Sequence, residues 1–230
     1  RDVTGVQTCA LPISLVIAPQ FDKVATYNID TDFQFIDTIG MFPTFIAVNS
    51  ESNIDSYKQL VELSKTKPIY YGTAGIGTSG HLTIVALADS RPNWIHVPFK
   101  GASEYTTAIL GKNLTMIQDA DSVIGSFVRA GKIKPLATVY PRRAPGYTDV
   151  PTLKELGAND IGIYRWFILL ANSSADPKII AHLKQVMGKP EVKKEFEELG
   201  LDTNLKSAST FLRDETRKVH RVLNEYKVER

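Results

Sequence analysis

The sequence is poor in features that mark several classes of protein. It has one cysteine among 230 residues, which excludes an intramolecular disulfide. No apolar run approaches the ~20 residues that a membrane-spanning helix needs, and one of the longest, residues 167–171, is only strand-sized. The 27 basic and 25 acidic residues are mixed along the chain, so no basic stripe points to nucleic acid. What is left is an ordinary globular composition, long enough for one large domain or two small ones.

Clusters of chemically reactive side chains are also missing. The four histidines have no metal-ligand spacing among themselves or with an acid on a helix face. Ser79 stands between an expected strand and helix, as an esterase nucleophile does, but residues 77–81 (GTSGH) break the G-x-S-x-G pattern at its last position. A triad of Ser79, Asp119 and a histidine can be drawn, as in most chains of this size. The sequence therefore predicts no catalytic residue, no metal site and no cofactor.

The most informative segment is a glycine- and hydroxyl-rich loop at residues 72–80, between an apolar run and a helical pattern. Its four glycines let the backbone approach a ligand closely, and the free N–H groups of the following helix face the loop. Thr73, Thr78 and Ser79 add hydroxyl groups without charge. We predict that the amides and hydroxyls of this loop hold a carboxylate or a phosphate without acting on it chemically.

Two other interpretations of the loop stay open at this point. Residues 75–80 (GIGTSG) spell the G-x-G-x-x-G pattern of dinucleotide-binding folds. The next expected strand, residues 94–97, ends at Pro98 rather than at the acidic residue that would hold a ribose, which counts against this interpretation. The loop can also be a glycine-rich turn between strand and helix that binds nothing.

Strand and helix patterns alternate through the middle of the chain. A helix is expected from Ser56, which has capping-box spacing to Gln59. Strands are expected at residues 94–97, 114–118 and 134–139, separated by helices that end at glycines. This alternation predicts an α/β fold with a mostly parallel sheet.

Asp119 lies where one of these strands is expected to end. In open α/β sheets the carboxyl ends of the strands line the ligand crevice, so Asp119 is a candidate ligand-binding residue. It serves equally well as the N-cap of a helix at residues 122–130.

The two ends of the chain carry signals of their own. Residues 1–14 read as the translation of a sequencing adapter joined to a gene fragment, so we expect them to be non-native and leave them out of the reasoning about the fold. Residues 15–18 look like the end of a buried strand broken by Pro19. Near the other end we expect a short helix at 152–156, and then three helices that open at Pro177, at Pro190 and at a serine, 207 or 209.

Four ordered motifs together resemble a known family. They are residues 71–82 (YGTAGIGTSGHL), 96–101 (HVPFKG), 131–137 (GKIKPLA) and 149–152 (DVPT). In this order they resemble the substrate-binding proteins of tripartite tricarboxylate transporters, the TctC or Bug receptors. The resemblance extends over nearly everything from Leu15 to Val228.

The resemblance implies a two-lobed periplasmic binding protein of the type II, Venus-flytrap class, with mostly parallel sheets. In that family, backbone amides of two loops, one in each lobe, hold a ligand carboxylate. The loop of the second lobe matches residues 73–79 here, and a strand-end aspartate region matches Asp119. The expected ligand-binding residues are therefore Thr73, Ala74, Gly75, Gly77, Thr78, Ser79 and Asp119.

The family's first-lobe loop is not seen in the sequence. It should lie upstream of Leu15, and Ala18, Pro19 and Gln20 stand where the family tends to have glycine and hydroxyl residues. We therefore expect the first lobe to be incomplete. Residues 15–49 and 141–230 are then its remnant, and residues 50–140 form the second lobe.

The expected function is that of an extracytoplasmic receptor in the periplasm, which binds a small carboxylate and delivers it to the permease subunits of a tripartite tricarboxylate-type transporter. We expect it to be a monomer that neither spans the membrane nor binds nucleic acid. One alternative is an α/β enzyme that uses the glycine loop for a nucleotide or phosphate cofactor. Another is a ligand-sensing receptor for a signalling kinase.

Overall fold

The computed structural model describes residues 8–21, 27–88, 93–158, 161, 163–204 and 211–226. The strands of these residues are β1 (Thr8–Pro12), β2 (Phe33–Phe42), β3 (Thr44–Asn49), β4 (Ile69–Thr73), β5 (Trp94–Pro98), β6 (Met116–Ala120), β7 (Ile133–Thr138) and β8 (Arg165–Asn172). The helices are α1 (Ser14–Phe21), α2 (Tyr57–Ser64), α3 (Ser79–Ala88), α4 (Ala102–Leu110), α5 (Asp121–Arg129), α6 (Pro177–Met187), α7 (Pro190–Glu198) and α8 (Phe211–Glu225).

Backbone contacts divide the chain into two compact units. The first is formed by Arg1–Phe42 and Arg165–Arg217, and the second by Pro43–Tyr164 and Lys218–Arg230. These units do not divide the chain after residues 49 and 140, where we expected the lobe boundaries. The first division comes earlier, because β3 pairs with β6 and β7. The second comes later, because the segment before β8 clusters with the second unit.

The first unit is built on a three-stranded antiparallel sheet in the order β1-β8-β2. Helices α6 and α7 pack against β2, and the core between them includes Ile36, Ala171 and Ile180. On β8 the side chain of Trp166 is fully buried, and its indole N–H donates a hydrogen bond to Glu215 Oε2 at 2.8 Å.

Helix α1 replaces the strand that we expected at residues 15–18. The apolar run is short, and a short apolar run fits a buried helix as well as a buried strand. Pro19 lies inside the helix and has no N–H for the carbonyl of Leu15, four residues earlier. The hydroxyl of Tyr27 donates to that carbonyl at 2.7 Å and so replaces the missing helical hydrogen bond.

Strand β1 comes from the segment that the sequence analysis set aside. Its residues pair antiparallel with β8, from Thr8 opposite Ala171 to Pro12 opposite Phe167. This part of the segment therefore does contribute to the fold. Its expected non-native origin stays a prediction.

The second unit contains a five-stranded sheet in the order β5-β4-β6-β3-β7. Strand β4 pairs parallel with β5 and β6, as the alternating pattern predicts, and the α/β class is confirmed. The sheet is nevertheless mixed, because β3 pairs antiparallel with both β6 and β7. Helix α4 packs against β3, β4 and β6, and its buried residues Tyr105 and Ile109 join a core with Phe45 and Ile117.

Most of the expected helix ends are found where the sequence places them. The side chain of Ser56 accepts from the Gln59 N–H at 3.2 Å and caps α2, and Asp176 caps α6, with Pro177 as the first helical residue. Residues 153–157 form a hydrogen-bonded turn rather than the expected helix. The expected cap at Ser207 or Ser209 lies outside the described residues.

Candidate functional site

The glycine loop joins β4 to α3 as the sequence predicts. Strand β4 ends at Thr73 and α3 begins at Ser79, so residues 74–78 form the connection. Gly75 and Gly77 have φ angles of 110° and 78°, in the region that side chains other than glycine rarely adopt. These two glycines therefore allow the chain to turn twice within five residues.

The carbonyl group of Gly75 is bound from two sides by the threonine hydroxyls of the loop. Thr73 donates to it at 3.2 Å and Thr78 at 2.9 Å, while the Gly75 N–H donates back to Thr73 Oγ1 at 3.2 Å. Both threonines were expected to contact the ligand directly. In the structure their hydroxyl protons are used inside the loop, where they fix the orientation of one peptide group.

That orientation decides where the neighbouring amide points. The Gly75–Ile76 peptide is trans, so its N–H is directed opposite to the carbonyl that the threonines hold. Among the described residues, no hydrogen-bond acceptor is found for a set of backbone N–H groups in and after the loop. The set comprises Ala74, Ile76, Thr78, Ser79 and Gly80.

Thr78 also fixes the start of α3. Its Oγ1 accepts from the His81 N–H at 3.3 Å, and its carbonyl accepts from the Leu82 N–H at 3.0 Å. This is the pattern of an N-cap residue, and it leaves the first amides of the helix directed out of its end. The positive end of the helix dipole therefore lies beside the unpaired loop amides.

Two histidines lie directly behind the loop, and sequence reasoning gave neither of them a role. His81 Nδ1 accepts from the Gly77 N–H at 3.4 Å, and His96 Nε2 lies 2.7 Å from Thr73 Oγ1. The two imidazole centroids are 4.7 Å apart, and His96 is stacked on Tyr71. Burial, with a smaller contribution from His96, lowers the pKa of His81 to about 4, and burial lowers the pKa of His96. Both rings are therefore neutral at pH 7.

Asp119 lies on β6 with its side chain on the α4 face of the sheet. The residue is fully buried, and its carboxylate accepts from the Tyr105 hydroxyl and from the Ala120 N–H. It is not the N-cap of α5, because that position belongs to Ala120. Its contact with a ligand stays a prediction.

Gln118, the residue before Asp119, faces α3 on the other side of the same sheet. It is 4% exposed, and its Oε1 has no hydrogen-bond partner in the described part of the chain. A Cβ added at Gly80 would stand 2.8 Å from this oxygen, so the absence of a side chain at Gly80 lets the first turn of α3 approach β6. Because side chains alternate along a strand, the sequence predicts that Gln118 and Asp119 lie on opposite faces of the sheet. It does not predict that Gln118 faces α3, since that requires the position of the helix.

The structure offers no support for the enzymatic alternatives. Strand β5 ends at Pro98 without an acidic residue, and within the described residues Ser79 makes no hydrogen bond to a histidine. The described residues also contain no group of three or more His, Cys, Asp or Glu side chains placed to hold a metal ion. None of the helices in this part of the chain is long and apolar enough to cross a membrane.

Several solved structures share this fold. The periplasmic binding protein BugD superposes with a TM-score of 0.81 at 22% identity, covering 96% of this chain and 78% of its own. R. palustris Rpa4515 with adipate gives 0.82 at 20% identity, covering 95% and 77%. MatC (Rpa3494) from Rhodopseudomonas palustris with bound malate gives 0.74 at 17% identity, covering 96% and 78%. The fold is therefore that of the periplasmic solute-binding proteins.

The sequence comparisons identify the family. A UPF0065 protein from the gbd 5' region of Cupriavidus necator is 32% identical over 163 residues, which are 69% of this chain and 49% of that protein. The chain spans about half the length of the first curated relatives it matches. The family model "Tripartite tricarboxylate transporter family receptor" matches residues 5–228. The chain belongs to this family, as its motifs predict, and the fold and family are those of receptors rather than enzymes.

Proposed function

We propose that this chain is the ligand-binding receptor for a small carboxylate, works in the periplasm as a monomer, and passes its ligand to the permease subunits of a tripartite tricarboxylate-type transporter. Membership of the receptor family supports the transport role. The observation that carries the ligand class is the set of backbone amides without an acceptor in the loop and at the start of α3, among them the Ile76 N–H, which points away from the Gly75 carbonyl that Thr73 and Thr78 bind.

The chemistry of the loop favours an anion. Backbone N–H groups and the positive end of a helix dipole attract negative charge, and residues 73–79 carry no charged side chain. A carboxylate satisfies several such donors at once, whereas a sugar hydroxyl carries no charge for the dipole to stabilise. Loop amides alone therefore account for selection of an organic acid over a neutral solute.

The proposed site divides the expected ligand-binding residues into two roles. The amides of Ala74, Thr78 and Ser79, together with that of Ile76, contact the carboxylate. Thr73, Gly75 and Gly77 shape the loop that presents them, because their polar atoms bond within the loop or to His81 and His96. Ser79 adds a hydroxyl at the helix start, where the residue is 9% exposed.

Calorimetry with adipate and malate, the acids bound by two relatives of this fold, tests the ligand class. Glucose, which has no carboxylate, serves as the neutral comparison. We expect heat of binding and a raised melting temperature with at least one acid, since a ligand at a hundred times its Kd stabilises the folded state by about 2.7 kcal/mol. Stabilisation by glucose alone would refute the assignment.

Two substitutions of Ser79 test the place of binding. Ser79→Asp puts a carboxylate among the proposed donors and should abolish acid binding. Ser79→Ala removes at most one ordinary hydrogen bond and should cost on the order of 1 kcal/mol. Wild-type affinity in both variants would remove Ser79 from the site.

Asp119 is tested separately, because its side chain is buried on the α4 face. If its charge acts on the ligand, Asp119→Asn should shift the order of affinities toward dicarboxylates by relieving repulsion. An unchanged order, with lowered stability, would assign Asp119 to the interior bond with Tyr105.

A further inference from the structure

The imidazoles of His81 and His96 form one hydrogen-bond network with the glycine loop. The Gly77 N–H donates to His81 Nδ1, and Thr73 Oγ1 is hydrogen-bonded to His96 Nε2. The backbone N–H of His81 donates to Thr78 Oγ1, and the Thr78 hydroxyl donates to the Gly75 carbonyl. His81 is 7% exposed and His96 is half-buried.

The bonds define the tautomer of the His81 ring. Because the Gly77 N–H is a donor, His81 Nδ1 must carry the lone pair, and the ring proton is on Nε2. The Thr73 hydroxyl accepts from the Gly75 N–H, and its Oγ1 lies 3.2 Å from the Gly75 carbonyl oxygen and 2.7 Å from His96 Nε2. One proton joins Thr73 Oγ1 to His96 Nε2 in either tautomer of His96, so this contact holds the hydroxyl in place whichever atom donates.

The network restricts the orientation of two peptide groups in the proposed anion site. The Gly77 N–H is hydrogen-bonded to His81, and the Gly75 carbonyl is hydrogen-bonded to the Thr73 hydroxyl, which His96 contacts in turn. Because both positions are glycines, with no Cβ to restrict φ, the loop itself has little resistance to rotation of these peptides. A rotated Gly75 carbonyl would face the ligand and repel it.

We infer that His81 and His96 are positioning residues for anion binding: His81 Nδ1 fixes the Gly77 peptide, and His96 Nε2 fixes the Thr73 hydroxyl. This inference rests on the proposed carboxylate function for its binding readout, but the geometry of the loop can be read without any ligand. The two histidines act through different ring nitrogens, and this difference makes the inference testable by substitution.

Asparagine and glutamine distinguish the two nitrogens. An Asn side chain places its amide near the position of Nδ1, and a Gln side chain reaches the position of Nε2. His81→Asn should therefore keep the loop and the affinity, while His81→Gln and His81→Leu should lose them. At position 96 the order is reversed, with Gln tolerated and Asn not. His182→Leu, at an exposed position on α6, is the control that should change nothing.

Two measurements on the 230-residue chain at pH 7.5 test whether His81 and His96 position the loop. Calorimetry with adipate and malate should show affinity lowered at least about tenfold in the disruptive variants, because the binding-competent loop is then a minor state. Amide NMR should show shifted Gly75 and Gly77 signals in the same variants without ligand. If the wild type binds neither acid, the ligand class fails, and the NMR pattern still tests the positioning role.

Imidazole nitrogen spectra of the wild-type chain provide the check that needs no variant. We expect the His81 ring to carry its proton on Nε2 and to remain neutral well below pH 6. A proton on His81 Nδ1 at pH 7.5 would overturn the inference. So would equal affinities and equal Gly77 signals in His81→Asn and His81→Leu.

Discussion

Gly72 is a position at which the second unit leaves little room for a side chain. A Cβ there would stand 2.5 Å from Leu114 Cδ1 and 2.9 Å from Tyr105 Cβ, well inside contact distance. The missing side chain lets α4 pack directly on β4, and this packing also holds the strand that ends at the glycine loop.

Gly72→Ala should accordingly lower the free energy of unfolding by about 1–3 kcal/mol, the usual cost of forcing an extra carbon into a packed core. Gly188→Ala is the matched control, because Gly188 is exposed, has a φ of −73° and would meet only ordinary contacts, at 3.4 Å or more, with an added Cβ. That variant should stay within about 0.5 kcal/mol of wild type. Urea titration followed by circular dichroism measures both, and equal losses would contradict the packing argument.

Residue-level reasoning located the glycine loop but not the direction of its peptide groups. The spacing of glycines and hydroxyls predicts a turn before a helix, because those residue types have few other uses there. It does not reveal that Thr73 and Thr78 bond to the Gly75 carbonyl, since that depends on two dihedral angles. The role of His96 was hidden as well, because its contact with Thr73 requires the register of β4 and β5.

At the scale of single elements, the cap of α2 is the clearest test of a local signal. Ser56 accepts from the Gln59 N–H, and the Gln59 side chain accepts in turn from the N–H of Asp55. Ser56→Ala should cost about 1 kcal/mol of stability, whereas Ser56→Gly should cost only a few tenths, since glycine is itself tolerated as a cap. Thermal melting compares each variant with wild type, and a Ser56→Ala variant as stable as wild type would show that the cap contributes nothing.

Helix ends were easier to predict than strands. Caps such as Ser56 and Asp176 act within three residues, so the sequence contains the whole signal. The apolar run at residues 15–18 contains no such signal, and in its helix the Tyr27 hydroxyl bonds to the carbonyl that Pro19 leaves without an N–H. Strand β3 could not be placed from the sequence, because its two antiparallel partners are far along the chain.

At the scale of the molecule, the division into units depends on those distant pairings. Placing β3 between β6 and β7 assigns residues 43–49 to the second unit, whereas the resemblance to the receptor family led us to expect a boundary after residue 49. Patterns along a sequence report which face of a strand is buried, but not which strand lies beside it.

The buried histidines make the stability of the whole chain depend on pH. In the unfolded chain His81 takes up a proton near pH 6.5, while in the folded chain burial and His96 hold its pKa at about 4. Between pH 4 and pH 6.5 the unfolded state therefore binds more protons than the folded state. The contribution of neutral, buried His81 to the free energy of unfolding is complete above pH 6.5 and is lost as the pH falls to about 4. His81→Asn should lose less stability than wild type between pH 7 and pH 4.5 in urea titrations. A parallel decline in both proteins would contradict the assignment.

The two tryptophans give each unit its own optical signal. Trp166, enclosed beside Phe211 and Glu215, reports on the first unit, and Trp94 at the start of β5 reports on the second. Trp94→Phe and Trp166→Phe thus yield two chains whose fluorescence comes from one unit each. Because each unit has its own sheet, we expect the two emission curves to have different midpoints in urea. Coincident curves would instead show that the two units lose their structure in one cooperative step.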